Sequence, residues 1–260
     1  MDNLSKFISF IKDYFAERKI KKTVDKDFIK LKVNSYVFDQ IELIKQISYE
    51  EKFGLAIAAP FRACTFKGLQ QRSKEGKKPK FPKHFYMLDQ YRDQEGAKRL
   101  LSIYAGARTQ IQLMLAISSA VNNALVSSGN GSMDGGLSSE SCIIRLGRNI
   151  SAEPSRCIAT LHLSYAAFLV TTGSDAKLLT KEEALAMLKN INRAIRFMNQ
   201  KADAWKEFSA AFLKEEFTRL IFPSFSSKSL AKAAVFLLDE PIVSPWRHVS
   251  FDDAKLEKGE

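Results

Sequence analysis

Cysteine and histidine are scarce in this sequence, and their placement excludes the sites that depend on them. The three cysteines, Cys64, Cys142 and Cys157, are odd in number and far apart, and no two of them form a CxxC pair. They predict neither a disulfide framework nor a structural zinc site, and reduced thiols suit a cytoplasmic protein. Among the three histidines, His162 lies in an apolar run, where an imidazole is more often a core residue than a base. We therefore predict no metal site.

Long hydrophobic stretches and a leader sequence are missing too. The longest apolar run, from Ile158 to Val170, is too short to cross a bilayer. The residues after Met1 lack the charged-then-apolar layout of a signal peptide. We predict a cytoplasmic protein without membrane contact.

The motifs of common enzyme classes are also missing. Glycines are frequent between Ser127 and Ser141, but no Walker lysine follows them and no GxGxxG follows a clear strand. The sequence contains neither GxSxG nor HExxH. We predict that the protein is not an enzyme, that it uses no cofactor, and that the glycine-rich segment is a linker or loop.

Positive charge is what the chain has in excess. It carries 40 Lys and Arg against 29 Asp and Glu, a net charge of +11. Such a balance favours a polyanionic partner, either nucleic acid or an anionic membrane surface, and we expect nucleic acid. The 19 phenylalanines require a folded core to cover them.

The densest positive charge lies between residues 62 and 84, here called the basic stretch, where Glu75 is the single acid. Gly76, Pro79 and Pro82 prevent regular structure there, so we predict an exposed loop. Its cations could follow the phosphates of a nucleic acid or could only solvate the surface. The candidate phosphate-binding residues are Arg72, Lys74, Lys77, Lys78, Lys80 and Lys83.

A short alternating pattern precedes Asn34. The alternating residues are Ile29, Lys30, Leu31, Lys32 and Val33. A period of two is typical of a strand with one apolar and one cationic face. Asn34 then caps a predicted helix whose apolar residues recur as far as Ile47. Two such strands could pair into a positively charged ribbon that fits the major groove of DNA, and the alternative is an ordinary surface strand.

A second helix follows, predicted from Tyr49 to Ala59. Ser48 and Glu51 stand in capping-box spacing at its start, and Pro60 is its predicted end. Gly54 lies inside it, where glycine lowers helix stability by about 1 kcal/mol relative to alanine. The unit as a whole predicts a strand followed by two helices.

This order of elements resembles the ribbon-helix-helix family of DNA-binding proteins. Besides the strand, the matching residues are Val37, Ile41 and Ile44 in the first helix and Ser48 to Glu51 at the start of the second. The resemblance implies a homodimer whose paired strands enter the major groove. The residues implied to read bases are Lys30, Lys32 and Asn34, and those implied to hold phosphate are Ser48, Tyr49 and Lys52.

The layout of the whole chain, basic and mostly helical with this unit embedded in it, looks like that of the AcaB-type activators of conjugative plasmids. That resemblance implies a transcription regulator that acts upstream of conjugation genes.

Beyond the basic stretch the sequence predicts mainly helices, and the segment from Cys142 to Leu146 could be a short strand or a buried turn. The predicted ranges of the helices are 89–126 with a break near Gly106, 156–172, 180–199, 204–221 and 229–239. Thr180 and Glu183 stand in capping-box spacing, and Pro223 ends the fourth of these helices.

We therefore predict a mainly α protein with a short β-ribbon, a dimer that binds double-stranded DNA sequence-specifically as a regulator. The predicted segments are an amphipathic helix (1–24), a ribbon-helix-helix-like unit (25–60), a basic loop (61–88), a helical core (89–126), a linker or loop (127–141), a C-terminal helical region (142–240) and a tail (241–260). Two alternatives stay open. One is a protein–protein component of a conjugation or secretion assembly, and the other is an RNA or non-specific nucleic-acid binder that uses the basic loop.

Overall fold

The computed structural model describes residues 47–72, 88, 94–127, 153–199, 204–239 and 244–251, with the backbone alone for 66–72, 153, 154 and 220. Every regular element within these residues is an α-helix. In chain order they are α1 (Tyr49–Arg72), α2 (Gln94–Ala105), α3 (Gln110–Ser127), α4 (Glu153–Asp175), α5 (Lys181–Met198), α6 (Ala204–Leu213), α7 (Glu215–Ile221), α8 (Ser227–Asp239) and α9 (Pro245–His248).

The predicted fold class is wrong in its β component. None of the described residues forms a strand, and the mainly helical part of the prediction is what the structure supports. The predicted second helix of the ribbon-helix-helix unit is instead the first part of α1, a 24-residue helix that enters the core. Within the described residues the apolar side chains are buried by packing helix against helix, so this part of the core needs no sheet.

Several predicted segments lie outside the described residues. They are the amphipathic helix at 1–24, the strand and first helix with Lys30, Lys32 and Asn34, and nearly all of the linker at 127–141.

Two helices, α1 and α4, form the centre of the molecule. Every residue of α1 from Phe53 to Ala63 is buried, and α4 packs against α1, α2, α3, α5 and α6. The hydroxyl of Ser164 in α4 donates to the carbonyl oxygen of Ile57 in α1 at 2.7 Å. The segment Ser155–Asp175 is long and apolar enough to cross a membrane, but 83% of it is buried inside the protein, as a core helix would be.

Gly54 allows α1 and α5 to approach closely. A Cβ atom at this position would lie 2.7 Å from Cδ1 of Leu188, which is less than van der Waals contact. The glycine that weakens an isolated helix is therefore required by the packing of this one.

The local predictions for the later helices are mostly confirmed. Thr180 and Glu183 form a complete capping box at the start of α5. Gly106, with a φ of 64°, separates α2 from α3. The helix predicted over 204–221 is interrupted at Lys214, which separates α6 from α7.

The predicted end of a helix at Pro60 is wrong, and so is the irregular tail for the part of it that is described. α1 continues through Pro60 to Arg72. Residues 244–251 pack into the core, where Trp246 is buried and its indole Nε1 donates to the carbonyl oxygen of Ala56 at 2.8 Å. Ser244 caps α9 by accepting from the backbone N–H of Trp246.

Candidate functional site

The residues predicted to hold phosphate at the start of the second helix lie at the N-terminus of α1. Ser48 is exposed and caps the helix, because its Oγ accepts from the backbone N–H of Glu51 at 3.3 Å. Tyr49 is buried, and its hydroxyl donates to the carbonyl oxygen of Ser250 at 3.0 Å. Lys52 is partly exposed. Ser48 and Lys52 therefore present their side chains to solvent, whereas Tyr49 does not.

The side chain of Glu51 does not complete the predicted capping box. Its buried carboxylate accepts from the backbone N–H of Leu88 at 2.8 Å through Oε1, and Oε2 lies 2.8 Å from Nζ of Lys181. A buried carboxylate requires such partners, since removing it from water is costly. Leu88 lies just beyond the basic stretch, so Glu51 holds the chain at the point where that stretch returns to the helical body.

The basic stretch was predicted to be a loop throughout, and this is wrong for its first part. Its beginning belongs to α1, which runs to Arg72. Arg62 is fully buried and its guanidinium lies 3.0 Å from Oδ2 of Asp175, so it adds no charge to the surface. The remaining predicted phosphate-binding groups, namely the side chain of Arg72 and residues Lys74, Lys77, Lys78, Lys80 and Lys83, lie outside the described residues.

A second contact holds the chain beyond the basic stretch against the turn between α4 and α5. The side chain of Gln94 donates to the carbonyl oxygen of Ala176 at 3.3 Å. The next residue of the turn, Lys177, is exposed, and Lys181 at the start of α5 is 45% exposed. The chain therefore re-enters the helical body beside the cations of this turn.

The outer face of α5 carries further cations that the sequence analysis missed. Lys189 and Arg193 are exposed, and Arg196 lies over the ring of Tyr49 with its guanidinium 5.8 Å from the ring centroid. Phe197 is 39% exposed. The i, i+4 spacing of Lys189 and Arg193 places both cations on one face of a helix and could have indicated this surface. The helix was predicted from its apolar stripe.

A pocket of about 480 Å³ opens between α2, α3, α4 and the turn that joins α7 to α8. We call it the His162 pocket; its walls include Tyr104, Ser119, Asn123, His162, Phe222 and Phe225. Burial lowers the pKa of His162 to about 4 and raises the pKa of Tyr165, which also lines the pocket, to about 12. Both side chains are therefore neutral near pH 7. His162 is only partly buried and lines a cavity, although the sequence predicted a core residue.

The His162 pocket contains no pair of groups suited to nucleophilic catalysis. Among the residues that the structure describes, no aspartate, glutamate or cysteine lines it, so these residues offer His162 neither a carboxylate to orient it nor a thiol to activate. Across the described helices, no three His, Cys, Asp or Glu side chains are grouped so that they could hold a metal ion. The pocket can bind a molecule, whereas the exposed cations of α5 can bind an anionic surface.

Comparisons with protein-family models, with curated proteins and with solved structures find no match to this chain.

Proposed function

We propose that the protein is a non-enzymatic, double-stranded DNA-binding regulator that uses the basic stretch together with the cations of α5. The observation that carries this proposal is the contact of Glu51 with both Leu88 and Lys181. The two oxygens of this buried carboxylate contact Leu88, just beyond the basic stretch, and Lys181, the first cation of α5.

The charge of the chain supports a polyanionic ligand for this surface. With a net charge of +11, the chain is attracted to DNA before any specific contact forms. At one end of α5 Lys177 is exposed, Lys181 is paired with Glu51, and Glu182 and Glu183 are exposed acids. Lys189 and Arg193 are exposed further along the helix and carry most of its positive charge. An 18-residue helix is about 27 Å long, so its cations can meet several phosphates of one duplex.

Sequence-specific regulation and the link to conjugation genes follow from the resemblances to known regulators and are part of the proposal. A helix that exposes Lys189 and Arg193 can enter the major groove, where lysine and arginine bind guanine. Binding through such a helix requires no β-ribbon.

Mobility shifts with a specific duplex and a scrambled duplex, at two salt concentrations, test the proposal. Lys77→Ala and Lys80→Ala should each weaken binding to both duplexes alike and reduce the salt slope by about 1. Arg193→Ala should reduce discrimination between the duplexes by about 1–3 kcal/mol if it contacts a base. Lys228→Ala is the matched control, because this exposed lysine lies on α8, which packs against α1, α6, α7 and α9.

Duplex DNA must compete with RNA and single-stranded DNA of the same length in these assays. Tighter binding to RNA would favour the alternative of a general nucleic-acid binder and would contradict the proposal. Unchanged affinity in the Lys77 and Lys80 variants would also contradict it.

A second candidate function, a component of a protein assembly, is favoured by the surface of α3. This helix contains no charged residue, and Ile111, Leu115 and Val126 on it are 74%, 66% and 53% exposed. Large exposed apolar side chains mark contact surfaces. We take a second copy of the chain as the occupant, because an uncharged face lets two molecules of the same net charge approach without local repulsion.

Sedimentation velocity of the wild type and of the Leu115→Glu variant tests this surface. The wild type should form a dimer at micromolar concentration, and the variant should be a monomer, because two buried carboxylates would then face one another. Ala186→Glu introduces the same charge at an exposed position of α5, away from α3, and is the control for added charge. Equal dimerisation in Leu115→Glu and in the wild type would exclude α3 as the interface.

A further inference from the structure

The His162 pocket carries no charged side chain among the residues that the structure describes. None of these lining residues is Asp, Glu, Lys or Arg, although 27% of the chain is charged. Arg108 reaches its rim, where Nε donates to Oγ of Ser102 at 3.1 Å. An ion inside the pocket would lose water without gaining a counter-charge from the walls, so the pocket favours a neutral ligand.

Aromatic rings form one side of the pocket. The rings of Tyr104 and Phe225 stack with centroids 3.9 Å apart and planes 18° from parallel. Phe222 packs against His162 edge to face at 5.7 Å. Rings held against one another in this way give a rigid wall on which another planar ring can stack.

The phenol of Tyr165 stiffens this wall and is not available as a donor. Its hydroxyl donates to the carbonyl oxygen of Tyr104 at 2.7 Å, which joins α4 to the end of α2. The position of the wall is therefore fixed by a hydrogen bond as well as by packing.

The polar groups of the pocket come from α4 and from the adjacent helix α3. The imidazole of His162 makes no hydrogen bond with any residue that the structure describes, and as a neutral ring it offers one donor and one acceptor. Ser119 and Asn123 of α3 also line the pocket and are exposed. A ligand with one donor and one acceptor can therefore pair with the imidazole and reach α3.

We propose that the His162 pocket binds a neutral, planar heteroaromatic molecule, stacked on the aromatic wall and hydrogen-bonded by His162. Its volume of about 480 Å³ lies within the range of small-molecule sites. Of the cations proposed to contact DNA, those of α5, which the structure describes, do not line it. Binding of such a ligand can therefore be tested without DNA.

Titration with benzimidazole tests the proposal, since benzimidazole is a neutral planar ring with one donor and one acceptor. The chain has three histidines, so imidazole NMR signals are few and His162→Phe assigns the relevant one. Benzimidazole should shift the His162 signal at pH 7.5. Toluene, which lacks polar atoms, and benzoate, which is charged, should bind at least about tenfold more weakly.

Three variants separate this site from other binding. His162→Phe should weaken benzimidazole about tenfold, because a phenyl ring keeps the shape but loses the hydrogen bonds. Ser119→Trp should abolish binding by filling the pocket from its exposed edge. Ser118→Trp, on the adjacent exposed residue that does not line the pocket, should bind as the wild type does.

The outcomes are decisive in both directions. Loss of binding in Ser119→Trp but not in Ser118→Trp, with equal urea midpoints for the two variants, supports the site. No shift of the His162 signal at millimolar benzimidazole, or equal affinity in the two tryptophan variants, would overturn it.

Discussion

The indole Nε1 of Trp246 donates a hydrogen bond to the carbonyl oxygen of Ala56, the acceptor that Pro60 leaves without its helical partner. In a regular helix the carbonyl of residue 56 accepts from the N–H of residue 60, and proline has none. A buried carbonyl without a partner is costly, so the proline would normally end or bend the helix. Trp246 supplies the missing donor at 2.8 Å, and α1 continues to Arg72.

Removing this donor should destabilise the protein more while Pro60 is present than after Pro60 is replaced. We expect Trp246→Phe to cost about 1–3 kcal/mol of unfolding free energy for the unsatisfied carbonyl, in addition to lost packing. In the Pro60→Ala background the restored N–H satisfies Ala56, so the same change should cost at least about 1 kcal/mol less. Urea denaturation of the four proteins of this cycle measures the difference.

Tyr49→Phe is the matched control for this cycle. Its hydroxyl donates to the carbonyl oxygen of Ser250 at 3.0 Å, a hydrogen bond that involves neither Trp246 nor Ala56. Its cost should be the same with proline or alanine at position 60. Equal costs of Trp246→Phe in the two backgrounds would contradict the compensation.

The sequence could not have predicted this helix because its partners are distant along the chain. Pro60 is a local signal to stop, whereas the group that overrules it lies in a segment that composition alone predicts to be an irregular tail. Arg62 is similar, since it counts as a surface cation until the fold brings Asp175 to within 3.0 Å. Pairings of this kind depend on the tertiary structure, and no local pattern encodes them.

Features that depend on near neighbours were predicted correctly. The capping box of Thr180 and Glu183 is contained in four residues, and the break at Gly106 needs only a glycine with a positive φ. The candidate site falls between these cases. The cations of α5 are visible in the sequence, but only the contact of Glu51 with Leu88 and Lys181 relates them to the basic stretch.

Gly54→Ala tests the close approach of α1 and α5. The added methyl group would lie 2.7 Å from Cδ1 of Leu188, which is fully buried and must shift within the core. Overpacking costs about 1–3 kcal/mol, and the gain in helix propensity returns about 1 kcal/mol, so we expect a net loss of about 1 kcal/mol. In a Leu188→Ala background the methyl group enters the vacated space, and Gly54→Ala should then stabilise the protein. Thermal or urea unfolding that shows the same loss in both backgrounds would contradict the packing argument.

Lys177 occupies a backbone conformation that favours glycine. Its φ is 58°, and α4 ends there with the backbone N–H of Leu178 donating to the carbonyl oxygen of Gly173 at 3.0 Å. A residue with a Cβ atom in this region lowers the unfolding free energy by about 1 kcal/mol relative to glycine. Lys177→Gly should therefore raise the unfolding free energy by about 1 kcal/mol relative to Lys177→Ala, which removes the same side chain but keeps the strained backbone. Equal urea midpoints for the two variants would show that the turn is not strained.

Protonation of His162 should destabilise the fold in weakly acidic solution. Burial lowers the pKa of this imidazole from 6.5 to about 4, so between these values the unfolded chain binds a proton that the folded chain does not. Stability therefore falls as the pH drops from 6.5 towards 4, by at most about 3 kcal/mol, and the contribution is constant below that range. His162→Phe does not titrate, and carboxylates that titrate in the same range contribute alike to both proteins. The unfolding free energy of the variant should therefore rise relative to that of the wild type as the pH falls from 7 to 4. If plots of unfolding free energy against pH are parallel for the two proteins, His162 titrates in the folded protein as it does in water.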